Sequence, residues 1–178
     1  MADRYVAASK KSGRKELKQL IGGIIATELV SPSEEFWLVS PWISNVPVLE
    51  DTAGRFRQIN FAGGERLDLV PFLTFLLEAG TEVTVVTLSN PKNESAVFLR
   101  ELEASCKGTP FDANLRIQLK EDLHAKGLLS DGCAIIGSMN WTYRGINVND
   151  ELVHYTATQE NVASLKQEFW SEYGDWSS

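Results

Sequence analysis

Four polar side chains between residues 124 and 140 could together carry out phosphoryl transfer. They are the imidazole of His124, the ammonium of Lys126, the hydroxyl of Ser138 and the amide of Asn140. A neutral imidazole can attack phosphorus or shuttle a proton, while a fixed cation and two hydrogen-bonding groups stabilise the equatorial oxygens. No cluster of carboxylates accompanies them, so the set indicates phosphodiester chemistry that requires no metal ion.

A β-hairpin would bring these four groups to one surface. His124 and Lys126 are two residues apart, so in a strand they project from the same face. Residues 130–132, Ser-Asp-Gly, fit a three-residue hairpin loop with the glycine in the left-handed conformation. This loop pairs Lys126 with Ile136 and His124 with Ser138, and directly paired residues share a face. We therefore expect the hydroxyl and the amide to lie beside the histidine and the lysine.

The flanking segments alternate between strand-like and helix-like patterns. Strands are predicted at 36–39, 81–88, 115–119, twice within 123–139 and at 152–155, and helices at 14–30, 68–80, about 90–106 and 159–173. Strands that alternate with helices of this length imply right-handed crossovers and a sheet covered on both faces. We predict one α/β domain over residues 1–178, an α/β/α sandwich with a mixed, mostly parallel sheet.

The polar residues also stand at the spacing of a known family motif. They read His124-x-Lys126-x4-Asp131, then Gly137-Ser138-x-Asn140. This pattern resembles the signature of the phospholipase D superfamily, H-x-K-x4-D followed by G-S-x-N. Five residues separate Asp131 from Gly137 where the family usually has six, a difference that the hairpin loop can absorb. Downstream, Asn149-x-Glu151 matches the N-x-E element of the family.

The resemblance implies a role for each motif residue. His124 would form a covalent phosphohistidine or act as the acid on the leaving group. Lys126 and Asn140 would hold the phosphate, with Ser138 assisting. Glu151 would orient His124 through its second ring nitrogen and so fix the tautomer.

Three titratable residues have a plainer alternative. Asp131 belongs to the catalytic set by resemblance, but the tip of an Asp-Gly hairpin also explains it. Glu151 could instead be an exposed charge at the start of a strand. His154 has no motif around it and is interpreted as a strand surface residue.

The resemblance also implies a homodimer. The chemistry of the family uses two histidines, one as nucleophile and one as general acid, and this chain has no second His-x-Lys. A two-fold dimer would pair two copies of His124 across its interface. We expect neither a metal ion nor another cofactor.

Composition limits the partners of the chain. Its 178 residues carry 17 Lys+Arg and 24 Asp+Glu, a net charge of −7, which argues against binding to nucleic acid by bulk charge alone. Residues 1–20 are the basic exception, and we expect 1–13 to be a flexible basic arm, either simply solvated or in contact with phosphates. Two cysteines and no apolar stretch of membrane-spanning length indicate a cytoplasmic protein with no membrane partner.

Basic and aromatic residues favour nucleic acid as the substrate, DNA more than RNA. The loop around Arg55 and Arg57 interleaves cations with aromatic rings, as stacking and phosphate contact require, unless its aromatics tuck into the core. Trp42, Trp141 and Arg144 follow predicted strands and could line the mouth of the site, although both tryptophans could equally be core residues.

Two functions follow from these patterns. The first is a metal-independent phosphodiesterase, an endonuclease acting on DNA through a phosphohistidine intermediate in a homodimer. The alternative is a nucleic-acid- or partner-binding subunit of a bacterial DNA-modification or phage-restriction system with little intrinsic cleavage. The chain length and the Ser-Pro-Trp at 40–42 are similar to small phospholipase D-like proteins of such systems, which would add further protein subunits as partners.

Overall fold

Strands and helices alternate along the chain, as the period of its apolar residues predicts. The structure, a computed structural model, describes residues 3–9, 11–50, 66–89 and 94–174. The strands are β1 (Arg4–Ala7), β2 (Glu35–Val39), β3 (Pro47–Glu50), β4 (Arg66–Asp68), β5 (Glu82–Leu88), β6 (Leu115–Lys120), β7 (Gly127–Leu129), β8 (Ala134–Gly137) and β9 (Leu152–Thr156). The helices are α1 (Lys11–Val30), α2 (Leu69–Glu78), α3 (Glu94–Cys106), α4 (Tyr143–Asn147) and α5 (Gln159–Tyr173). The predicted elements are confirmed, with ends shifted by a few residues.

Seven strands form one mixed sheet in the order β1-β9-β8-β7-β2-β5-β6, and β3 pairs separately with β4. The pairs β2–β5 and β5–β6 are parallel, and the other four pairs of the large sheet are antiparallel. The mixed sheet is therefore confirmed, but the prediction that it is mostly parallel is wrong. Parallel neighbours need a long crossover, which α2 and α3 supply. A tight turn joins β7 to β8, and only the five-residue α4 lies between β8 and β9.

Helices cover both faces of the large sheet, which confirms the α/β/α arrangement. The side chains of β2 alternate between two cores. Phe36 and Leu38 pack with the buried faces of α1, α2 and α3, whereas Trp37 and Val39 pack with that of α5. Strand β2 is thus buried on both faces and holds its neighbour β7 firmly. Within the described ranges, no helix has both the length and the apolar composition needed to cross a lipid bilayer.

The amino-terminal segment belongs to the sheet. Strand β1 pairs antiparallel with β9, and the backbone N–H of Ala8 donates to the carbonyl of Glu151 at 2.7 Å. Gly13 allows α1 to approach this strand closely, because a Cβ there would lie 2.0 Å from the Ala7 carbonyl oxygen. The prediction of a flexible arm over 1–13 is therefore wrong for residues 4–8 and 11–13, which β1 and α1 fix in place. Residues 1, 2 and 10 lie outside the described residues.

The β7–β8 hairpin has a two-residue turn rather than the predicted three-residue loop. A backbone hydrogen bond of 2.9 Å from Ser130 to Cys133 closes this turn. Gly132 is not among the described glycines with positive φ, so the left-handed conformation expected of it is absent. Strand β7 then pairs Gly127 with Ile136, one position away from the predicted register.

Candidate active site

One end of the β7–β8 hairpin gathers the four polar residues of the motif. His124 and Lys126 lie in the segment just before β7, and Ser138 and Asn140 follow β8. In an antiparallel hairpin the start of one strand lies beside the end of the other, and here the Gly137 N–H donates to the Lys126 carbonyl at 3.2 Å. The predicted proximity of the two segments is present. The shifted register, however, means that Ser138 is not directly opposite His124.

Glu151 is a buried carboxylate whose oxygens are both hydrogen-bonded. It is 7% exposed, and its Oε2 accepts a short hydrogen bond from Ser138 Oγ. Its Oε1 accepts from Asn149 Nδ2 at 3.3 Å, and Ser138 Oγ in turn accepts from the Leu152 N–H at 3.0 Å. The alternative of an exposed charge at a strand start is therefore wrong. Strand β1 pairs with β9 next to this position, and the Ala8 N–H donates to the Glu151 carbonyl at 2.7 Å.

Lys126 places a partly desolvated ammonium near this carboxylate. The side chain is half-buried, and its Nζ donates to the backbone carbonyl of His124 at 2.5 Å. Burial lowers the pKa of Lys126, and the negative charge of Glu151 opposes that shift. An ammonium that has lost part of its water shell gains more from a bound anion than a fully hydrated one, so Lys126 is well placed to hold a phosphate oxygen.

The imidazole of His124 is accessible and unconstrained within one chain. The residue is exposed, and its ring makes no hydrogen bond with any residue that the structure describes. The expected contact from Glu151 to His124 is not made: the two carboxylate oxygens accept from Ser138 and Asn149 instead. The prediction that Glu151 orients His124 directly is therefore wrong in this structure. The ring is free to meet a ligand or a second chain.

The amide of Asn140 is oriented by a residue that the sequence analysis did not single out. Asn140 is 9% exposed, and its Oδ1 lies 3.2 Å from the hydroxyl of Ser40, which is fully buried at the end of β2. The single proton of this hydroxyl is shared between Asn140 Oδ1 and the Trp42 carbonyl, which lies 2.9 Å away, and the hydroxyl oxygen accepts from the Trp141 N–H at 3.4 Å. With Oδ1 directed at Ser40, the Nδ2 donor remains for a ligand. The sequence contained one signal for Ser40: it is a polar residue directly after a buried strand, at the edge of the sheet where the candidate site lies.

Asp131 lies at the far tip of the hairpin and outside the site. Its Oδ2 accepts from the backbone N–H of Glu34 at 2.5 Å, and its Oδ1 is 3.3 Å from Lys166 Nζ. Five residues of extended chain, roughly 15 Å, separate it from Lys126. The strand carries Asp131 away from His124, so the structure does not bring it together with the other motif residues, and its catalytic role stays a prediction that its contacts do not support. Its contacts tie the hairpin tip to the start of β2 and to α5.

The residues predicted to bind substrate fall into three groups. Trp42 is 50% exposed beside the Ser40–Asn140 contact, and Arg144 is exposed on α4. Trp141 is 1% exposed, so its prediction as a lining residue is wrong: the ring fills the core where residues 43 and 141 form a β-bridge. Arg55 and Arg57 lie outside the described residues.

The second histidine of the chain has a structural environment. His154 is half-buried in β9, and its ring stacks on Tyr5 with the centroids 4.6 Å apart. This is the surface role that the sequence analysis predicted for it. Among the residues that the structure describes, no three His, Cys, Asp or Glu side chains are grouped so that they could hold a metal ion.

Together these groups suit the binding and attack of a phosphodiester. The ammonium and the amide can donate to non-bridging oxygens, and the imidazole is placed to reach phosphorus or to move a proton. Burial lowers the pKa of the Lys126 ammonium, and the negative charge of Glu151 opposes that shift and so favours the protonated form. The chemistry is that of the sequence motif, with Ser40 added and Asp131 removed.

A family comparison and a sequence comparison give different results. The family model described as "Cardiolipin synthase, PLD-like domain" matches residues 67–173, which is more than half of the chain. That match contains every site residue described above except Ser40 and Trp42. Comparison with curated protein sequences finds no match.

Several solved structures have the same fold at low sequence identity. NucT from Helicobacter pylori is 12% identical with a TM-score of 0.59, over 95% of this chain and 93% of that one. Nuc from Salmonella typhimurium, a phospholipase D family member, is 14% identical with a TM-score of 0.59, over 97% and 94%. Polyphosphate kinase from Porphyromonas gingivalis is 15% identical with a TM-score of 0.59, over 97% of this chain and 26% of that one. At these identities the likeness concerns the fold alone.

Proposed function

The chain belongs to the phospholipase D superfamily, and we propose that it is a metal-independent phosphodiesterase that cleaves nucleic acid, DNA in preference to RNA. The observation that carries the proposal is the pairing of an exposed imidazole with a half-buried ammonium at one end of the hairpin. The ammonium of Lys126 and the amide of Asn140 can bind a phosphate diester, and His124 remains free to react with it.

In the proposed reaction, a ring nitrogen of His124 attacks phosphorus and forms a P–N bond. The P–O bond to the leaving strand breaks, and the departing oxygen takes a proton from a second imidazolium. Water then attacks the phosphohistidine, giving its proton back to that second imidazole while the P–N bond breaks. Lys126 and Asn140 hold the non-bridging oxygens through both steps, where negative charge accumulates.

The second imidazole requires a second chain. The other histidine of the chain, His154 in β9, stacks on Tyr5 in β1. Each subunit therefore provides one reactive histidine, His124. We therefore propose a two-fold homodimer in which two copies of His124 face one phosphate. Light scattering at micromolar concentration should give about twice the 19.8 kDa mass of the chain. A monomer that still cleaves DNA would contradict the two-histidine mechanism.

The deciding experiment is cleavage of labelled single- and double-stranded DNA in EDTA by the wild type and two histidine variants. We expect His124→Ala to lose activity by at least three orders of magnitude, as removal of a covalent nucleophile does. His154→Ala is the matched control, because it removes the other histidine and leaves the site intact. Cleavage by purified, folded His124→Ala, or cleavage that stops on chelation, would refute the proposal.

A second candidate function is supported by the free state of the imidazole. Glu151 binds Ser138 and Asn149 rather than His124, so one chain alone does not fix the reactive tautomer. A subunit of a DNA-modification or restriction system would then bind DNA or a protein partner and cleave only within a complex, in the cytoplasm. DNA binding without cleavage by both the wild type and His124→Ala would favour this function.

A further inference from the structure

We propose that the exposed basic face of the first half of α1 binds the phosphate backbone of the nucleic-acid strand whose scissile phosphate lies at His124. We call this face the basic stripe; it consists of Lys11, Arg14, Lys15 and Lys18. The inference rests on the proposed function and deepens it, because it makes a long polyanion the substrate rather than any phosphodiester. It also gives the amino-terminal charge a place in the fold.

The spacing of the four cations puts them on one side of the helix. At 100° per residue, Lys11, Arg14, Lys15 and Lys18 fall within an arc of about 100°. The buried face of α1, which contains Leu17, Leu20, Ile21 and Ile24, packs into the core. Lys11, Lys15 and Lys18 are exposed and Arg14 is half-buried, so the stripe borders solvent along its length.

Arg14 connects the basic stripe to the active site. Its Nη2 donates to the carbonyl of Val148 at 2.8 Å and lies 3.4 Å from Asp150 Oδ1. These residues form the loop that leads directly into Glu151, the partner of Ser138. The stripe therefore begins at the edge of the site rather than on a remote surface. A strand held at the site passes next to it.

Two lysines of the basic stripe remain available for phosphates. Lys11 and Lys15 form no ion pair with any residue that the structure describes, whereas Lys18 has a loose pair of 3.9 Å with Glu50. The acidic residue in this half of the helix, Glu16, pairs with an arginine of β1 at 3.5 Å. The chain as a whole carries −7, so most of its surface repels a polyanion and the stripe is a local exception.

The length of the basic stripe fits a nucleic-acid backbone. The seven helical rises from Lys11 to Lys18 span about 10 Å. One strand presents a phosphate about every 3.4 Å of axis, so the stripe spans about three phosphates. Nothing in this geometry reads a base, and the expected contribution is to affinity and path rather than to sequence preference.

The test compares two substrates and two double variants. Lys11→Gln/Lys15→Gln removes the two stripe charges that form no ion pair with a described residue. Arg100→Gln/Lys107→Gln is the matched control, with one residue in α3 and one directly after it, beside β6 at the edge of the sheet. The substrates are a long single-stranded oligonucleotide and bis-p-nitrophenyl phosphate, both in EDTA. Loss of two phosphate contacts lowers the slope of log affinity against log salt by about 1.4 for a single strand, which corresponds to about 25-fold weaker binding at 0.1 M salt.

We expect kcat/KM on the oligonucleotide to fall about 25-fold in the stripe variant and to stay unchanged in the control variant. Hydrolysis of the small diester should be unchanged in both. Unchanged oligonucleotide cleavage would overturn the inference, and so would an equal loss on both substrates, since the stripe would then act on the site itself. If the wild type cleaves neither substrate, the proposed function fails. Fluorescence anisotropy with a labelled copy of the same oligonucleotide then tests the inference separately. Weaker binding by the stripe variant than by the wild type supports it, and unchanged binding overturns it.

Discussion

Replacing Asp131 separates the structural role of this residue from the catalytic role that its motif position suggests. In the structure its carboxylate accepts from the Glu34 N–H at 2.5 Å and lies 3.3 Å from Lys166 Nζ, far along the hairpin from His124. Asp131→Ala loses a hydrogen bond to a charged acceptor, about 1.5 kcal/mol at this half-exposed position. It also loses an exposed ion pair, about 0.5 kcal/mol.

The expected total for Asp131→Ala is about 2 kcal/mol of unfolding free energy, or a Tm lower by about 4–8 °C for a chain of this size. Asp131→Asn keeps an acceptor for the Glu34 N–H and should lose about 1 kcal/mol or less. Urea denaturation and thermal melts measure both, and cleavage of DNA in EDTA at 25 °C should stay within a few-fold of the wild type. An Asp131→Asn protein with a normal Tm and a hundred-fold lower kcat would refute this reasoning and return Asp131 to the catalytic set.

Three further predictions concern burial and backbone geometry. Burial raises the pKa of Glu28 above its ordinary value of 4.5, so the folded state binds the proton more tightly and loses stability as the pH rises from that value. The Tm of Glu28→Gln should therefore rise relative to that of the wild type as the pH increases, and a constant Tm difference across the pH range would contradict this. Gly137 has φ +155°, and a Cβ there would lie 2.3 Å from the Leu152 carbonyl oxygen, so Gly137→Ala should lose about 2–4 kcal/mol in urea denaturation together with most of the activity. Trp141→Ala should lower the free energy of unfolding by about 3–5 kcal/mol, because the Trp141 ring is in the core. Trp42 is half-exposed, so Trp42→Ala should lower the free energy of unfolding by under about 1 kcal/mol and should weaken oligonucleotide binding measured by fluorescence anisotropy.

The sequence analysis predicted the chemistry of the site better than its geometry. Residue types and short spacings are local properties, so His124, Lys126, Ser138 and Asn140 were found together from the motif alone. Ser40 was missed because it lies 100 residues from Asn140 in the chain, and only the end of β2 brings the two side chains together. Long-range contacts of this kind leave no periodic signal in the sequence.

Burial was also difficult to assign from local pattern. Trp42 and Trp141 have similar positions just after strands, yet one is 50% exposed and the other 1%. The difference arises because residue 141 forms a β-bridge to residue 43, which is itself fully buried. In the same way, Glu151 is buried beside the β1–β9 pair, whereas the amino-terminal charges had suggested a free arm in place of β1.

By itself, the sequence determined the candidate catalytic residue types, the positions of most helices and strands, and the superfamily. These depend on side-chain chemistry and on the periods of 2 and 3.6 residues at which apolar side chains recur in strands and helices. Only the tertiary structure decided which strands are antiparallel, the one-residue register of the β7–β8 hairpin and the partners of Glu151. Pairing between segments far apart in the chain sets the direction of most strands, and the packing of both sheet faces selects one arrangement among several that the local pattern allows. The two-residue turn sets the register of the hairpin, and the local path of the chain from β8 to β9 sets the partners of Glu151.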